Sequence, residues 1–142
     1  SSRTGLTYRR MNKPDEPVNA LLLVAHGSRR QQSNDEVATL AAQLSRACND
    51  DYPIVHCGFL ELATPSIPEG IEKCISDGAS RITLLPYFLN SGRHVVEDVP
   101  EIVAASREQH AGVDIRIAPH LGASALMVDL LIASAQSVSP AD

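Results

Sequence analysis

From Val18 to Ala25 the chain is apolar at every position except Asn19, and this run constrains the fold more than any other stretch. A strand with one wet face alternates apolar and polar side chains. One that is apolar throughout has to be covered on both faces, the condition of a strand inside a parallel sheet. Parallel neighbours in turn need long crossovers, so the run predicts helices to either side of it.

The sequence supplies them. Ser33-Asn34-Asp35-Glu36 reads as a capping box, and Val37, Leu40, Ala41, Leu44 and Cys48 follow on one helical face that ends near Asn49. Ile54 to Leu62 is a second predicted strand. Thr64 then caps a helix with Pro65 in its first position, and the helix runs to about Ser76 with Gly78 placed to end it. Arg81 to Leu89 is the third strand, Asp98 to Glu101 a second capping box opening a helix to Gln109, and Val113 to Ala118 the fourth strand. Met127, Leu130, Leu131, Ser134 and Val138 share a face of a last helix, of which four positions are apolar or small enough to bury. Four strand-helix repeats predict an α/β fold: a doubly wound, mainly parallel four-stranded sheet with helices on both faces.

At 142 residues the chain has the size of one domain. Ser1 to Pro17 is polar, ends in Lys13-Pro14-Asp15-Glu16-Pro17 and matches neither secondary-structure period. It is expected to be a tail, with Ser1 to Arg10 an appended or leader segment, and 18–142 the folded domain. A net charge of -5 and the absence of Trp argue against nucleic acid and anionic membranes as partners. The longest apolar run, Ala20 to Ala25, is too short to span a bilayer. Cys48, Cys57 and Cys74 are odd in number and contain no CxxC pair, which fits a reducing cytoplasm better than a disulfide framework.

In a parallel sheet ligands bind beyond the carboxyl ends of the strands. The residues expected there are His26, Glu61 and the loop Asn90-Ser91-Gly92-Arg93-His94. Each follows its predecessor by about one strand-helix repeat, so neighbouring strands can bring two imidazoles and a carboxylate together, a set suited to iron, cobalt, nickel or zinc. Glu61 lies among Gly58, Phe59, Leu60 and Leu62, where a carboxylate needs a partner. Arg29, Arg30 and Arg93 flank the candidate ligands and invite carboxylates, with Arg30 the one most readily explained as a solvated side chain. Ser28 reads as a hydrogen-bond donor, because His26-Gly27-Ser28-Arg29 lacks the elbow of a hydrolase. His56 and His110 read as structural, His120 as a weak candidate, and Cys57 as a small buried hydrophobe. No glycine-rich phosphate loop is present in the sequence.

Three segments carry a resemblance: LLVAHGSRR over Leu22 to Arg30, GFLELATPSI over Gly58 to Ile67, and PYFLNSGRHVVEDVP over Pro86 to Pro100. In these and in their order, from about Val18 to Gln136, the chain resembles the short class II sirohydrochlorin chelatases. The resemblance implies a lyase that inserts cobalt, iron or nickel (Co2+, Fe2+ or Ni2+) into sirohydrochlorin or a related acidic tetrapyrrole, on the way to siroheme, cobalamin or a similar cofactor. It implies that His26 and His94 are the catalytic, metal-handling histidines, with Glu61 as the acidic metal ligand. Substrate binding would fall to Ser28, Arg29, Arg30, Gly92 and Arg93. Short members pair as homodimers, and the apolar Phe88 and Leu89 beside His94 fit a site whose second wall comes from another copy. No cysteine-rich extension follows Gln136, so the iron-sulfur cluster of some plant relatives is not expected.

The chemistry agrees with the residue types. Insertion needs a loosely held ion and acceptors for two pyrrole protons, and imidazole, with an ordinary pKa of about 6.5, serves both. A permanently bound metal fits less well, because the ion leaves with the product; no resident cofactor is expected. The alternative from another class is a non-catalytic carrier of metal or tetrapyrrole using the same histidines.

Overall fold

The structure is a computed structural model in which residues 16–139 are described, His94 and Val95 by their backbone alone. Most of the expected tail, 1–15, lies outside the described residues. The elements alternate as β1 (Asn19–Ala25), α1 (Gln31–Ala47), β2 (Ile54–Phe59), α2 (Ile67–Ser76), β3 (Arg81–Pro86), α3 (Val99–Gln109), β4 (Asp114–Ile117) and α4 (Met127–Ala135). A π-helical turn, His94–Asp98, precedes α3, and a short 3-10 turn, Leu121–Ala123, precedes α4.

All three strand pairings are parallel, in the order β2-β1-β3-β4. β1 is central, and its apolar run divides by the two-residue period of a strand. Ala20, Leu22 and Val24 join Ile67, Ile71 and Cys74 of α2 and Val99 and Val103 of α3 on one face. Leu23 and Ala25 meet Val37 and Ala41 of α1 on the other. Each fully buried aliphatic side chain of this kind contributes about 1.5–3 kcal/mol relative to exposure. The doubly wound α/β architecture is thus the one the sequence predicts. Burial of Cys74 between α2 and the sheet pushes its thiol up to about 12, which leaves it inert. No helix among the described residues is long and apolar enough to cross a membrane.

Several helix ends differ from expectation. α1 starts two residues before Ser33, with Arg30 at the N-cap and no side-chain cap; Ser33 N–H bonds to Arg30 O inside the first turn. Asp98 likewise makes no cap for α3, because the π-helical turn runs straight into it. The capping box that does form is Ser66 with Glu69, two residues after the predicted Thr64, and Pro68 falls within the first turn. Hydrogen bonds from Ser66, its backbone N–H first, hold the Glu69 carboxyl below its ordinary range. Gly78, at φ +105, ends the connection after α2 as expected. The largest departure is α4. Its apolar residues are suited to burial, yet Leu130, Leu131 and Ile132 are 51–61% exposed and no residue of the helix is buried.

Candidate functional site

Strand order decides where a cleft opens. α1 leaves the end of β1 for one face of the sheet, whereas the chain leaving β3 leads to α3 on the other face. The loops after β1 and β3 therefore diverge, and a crevice forms between the carboxyl ends of these neighbouring strands. His26 follows β1 directly, and the segment Tyr87 to Arg93 leads from β3 to the turn that begins at His94.

His26 and Glu61 come together. His26 Nε2–H donates to Glu61 Oε2 across 2.7 Å, with the two side chains about half exposed. Their backbones are joined as well: Leu60 N–H bonds to Ala25 O and Glu61 N–H to His26 O, at 2.9 and 3.0 Å. The β1–β2 pairing thus continues past the end of β2, which stops at Phe59 rather than at the predicted Leu62. Gly27 makes the approach possible. Its φ is +96, and a Cβ at that position would lie 1.7 Å from Glu61 O, so only glycine fits. Leu62, at φ 64, turns the chain away immediately after the carboxylate.

The remaining candidates divide. The side chain of His94 lies outside the described residues, and among the described residues no group of three or more His, Cys, Asp or Glu is gathered for a metal. Arg29 is exposed. Arg30 is also exposed and reaches Gln32 Oε1 at 3.3 Å, in keeping with its reading as a surface side chain. Arg93, 81% exposed, lies 3.6 Å from Glu97 one turn on, a contact too open to hold it. Gly92 is exposed, and its carbonyl accepts from Val96 N–H. Ser28 Oγ accepts from Arg30 N–H at 3.0 Å, which leaves its hydroxyl proton able to donate. Phe88 packs against the core, so only Leu89 of the expected apolar pair faces water.

His56 and His110, expected to be structural, each bond to a carboxylate, Asp77 and Glu72 respectively. His120 stands at the N-cap of the 3-10 turn and makes no cap bond. Cys57 is half-buried, and burial raises its pKa. Asn34 is the residue that sequence reasoning passed over. It is buried, and its side chain holds the Ser28 backbone by two hydrogen bonds. An open groove of about 360 Å3 lies beside α1, between Asp35, Glu36, Gln43 and Tyr87. Its carboxylates suit an acidic ligand poorly, and it includes neither His26 nor Glu61.

A borderline divalent ion accepts both imidazole and carboxylate. An ion at this pair would take the place of the proton on His26 Nε2, and the other ring nitrogen can carry that proton instead.

Comparison with known proteins identifies the family. The CbiX family model matches residues 20–138. A sirohydrochlorin ferrochelatase of Priestia megaterium is 32% identical over 88% of this chain and 46% of its own length. A sirohydrochlorin cobaltochelatase of Methanocaldococcus jannaschii is 36% identical over 66% of this chain and 64% of its own. The chain thus spans less than two thirds of these relatives. Among solved structures, SirB from Bacillus subtilis with Fe3+ superposes with a TM-score of 0.74 at 27% identity, over 85% of this chain and 48% of SirB. A CbiX protein from Marinobacter aquaeolei VT8 gives 0.65 at 26% identity, over 83% of this chain and 93% of its own.

Proposed function

The chain belongs to the CbiX family, and from that premise we propose that it is a sirohydrochlorin chelatase, an enzyme that inserts a divalent metal into an acidic tetrapyrrole. The observation that carries this reading is the 2.7 Å contact between His26 and Glu61 at the carboxyl edge of the sheet.

In this reading the ion is a substrate. His26 and Glu61 take it up, the proton between them moving off Nε2, and His94 joins as the second imidazole. The macrocycle carries two pyrrole N–H groups. As its four nitrogens replace the protein ligands, those two protons pass to the released imidazoles and then to solvent, so charge balances for a divalent ion. Arg29 and Arg93 hold the substrate's carboxylates by charge-assisted hydrogen bonds, with Arg30, Ser28 and Gly92 completing the rim. Iron and cobalt are the metals of the two curated relatives; nickel is added because the donor set favours it at least as well.

A second copy of this chain supplies the other wall of the site. The exposed apolar side chains of α4 support it, as does the match to about half of SirB but nearly all of the Marinobacter protein. Three free thiols accord with a cytoplasmic location.

Incubation of the protein with sirohydrochlorin and Fe2+, Co2+ or Ni2+, followed by absorption spectroscopy, tests the activity. Metallated product is expected in excess over enzyme. Stoichiometric metal or tetrapyrrole binding without turnover would replace the chelatase by a carrier. Light scattering with substrate bound tests the dimer, and an active monomer would refute it.

A further inference from the structure

A primary amide buried near the start of a helix has to find partners for its oxygen and its nitrogen, since leaving either unmade carries the full desolvation penalty of that group. Asn34, 7% exposed in the first turns of α1, finds both on one residue outside the helix. Ser28 N–H donates to Asn34 Oδ1 at 2.9 Å, and Asn34 Nδ2 donates to Ser28 O at 2.8 Å. A residue serving the helix would instead sit at the N-cap and accept from amides within the first turn. The N-cap here is Arg30, which makes no such bond. Asn34 commits both polar atoms to the loop after β1.

That loop carries His26, two residues before Ser28. On the other side His26 is fixed by the bond from Glu61 N–H to its carbonyl, and Gly27 is pressed against Glu61 O. The histidine is therefore held between two anchors, the extended β1–β2 pairing on one side and the Asn34 amide on the other. We propose that Asn34 is a positioning residue for metal handling, fixing the His26 loop without touching the ion. This rests on the chelatase reading above.

The test compares Asn34→Ala and Asn34→Asp with Ser106→Ala, a buried polar position on α3 far from the loop. Three quantities are measured: kcat and KM for insertion of Co2+ into sirohydrochlorin, affinity for Co2+ alone by calorimetry, and hydrogen exchange at the Ser28 amide. Asn34→Ala is expected to lower kcat by about 10- to 100-fold, the effect of displacing a reacting group by roughly 1 Å. It should also weaken Co2+ binding and accelerate exchange at Ser28. Asn34→Asp keeps the acceptor for Ser28 N–H but sets a carboxylate oxygen against Ser28 O, and is expected to fall between. Ser106→Ala should lower Tm and leave kcat unchanged.

Wild-type kcat and Co2+ affinity in Asn34→Ala, with only Tm reduced, would overturn the proposal. Should Asn34→Ala fail to fold, wild-type kcat and affinity in Asn34→Asp would do the same. If the unaltered protein binds Co2+ but never inserts it, the chelatase reading fails by itself, and Co2+ affinity together with Ser28 exchange still decides the role of Asn34.

Discussion

The carboxyl edge of the sheet and the flank around α2 contain the same chemical unit. His26–Glu61 at the edge, and His56–Asp77 and His110–Glu72 on the flank, are all His–carboxylate contacts of 2.7 Å. Distance does not separate them; what they join does. His56–Asp77 fastens β2 to the end of α2, and His110–Glu72 fastens the end of α3 to α2, elements with no backbone bond between them at those points among the described residues. At the edge, Glu61 N–H already holds the His26 carbonyl, so the side chains there add little fastening. A contact that is structurally redundant and open to solvent is available for a ligand.

Exchanging the members of each pair breaks or sharpens this comparison. The largest effect is expected for His26→Ala and Glu61→Gln. Each should reduce metal insertion by more than the roughly 10- to 100-fold that outer partners of a ligand are worth, with Tm little changed. Near-normal turnover in either variant would erase the distinction between edge and flank. A melting temperature that collapses in Glu61→Gln would make its contact structural after all.

A smaller effect is expected for Arg29→Gln and Arg93→Gln, which test whether the edge also receives an acidic substrate. Either should raise the substrate KM several-fold and flatten its dependence on ionic strength, since exposed charges act over about 10 Å at 0.1 M salt. If neither moves KM, both arginines belong to solvent.

The smallest effect falls on the flank. His56→Ala and His110→Ala should leave insertion unchanged and cost about 1 kcal/mol or less, because the carboxylates are more than half exposed. A Tm lowered by a few degrees with wild-type kinetics would bear this out. Loss of turnover in either would place function on both regions.

The sheet was legible because β1 states its environment through composition: apolar on both faces, it had to be central, and its neighbours followed from the crossover rule. The His26–Glu61 juxtaposition was legible for a related reason, since adjacent parallel strands put the residues after their ends side by side. Helix starts were less readable. Arg30 is a poor N-cap by propensity, and α1 begins there because the preceding loop is folded back by Asn34, a contact between residues six apart that no helical period encodes. Asn34 accordingly read as filler within a capping box. α4 shows a different limit. Leu130, Leu131 and Ile132 announce an apolar surface, but periodicity within a chain does not say whether that chain covers it.

The contact between Gly27 and Glu61 O also bears on how an ion is captured. Because the two backbones are locked at van der Waals distance and by a hydrogen bond, the conformational entropy of bringing an imidazole and a carboxylate together is lost when the chain folds. None of that ordering cost falls on the metal. In the chelatase reading an ion would meet a preassembled two-toothed chelator, and its rate of capture would be set by the shedding of its own hydration water rather than by the closing of a loop.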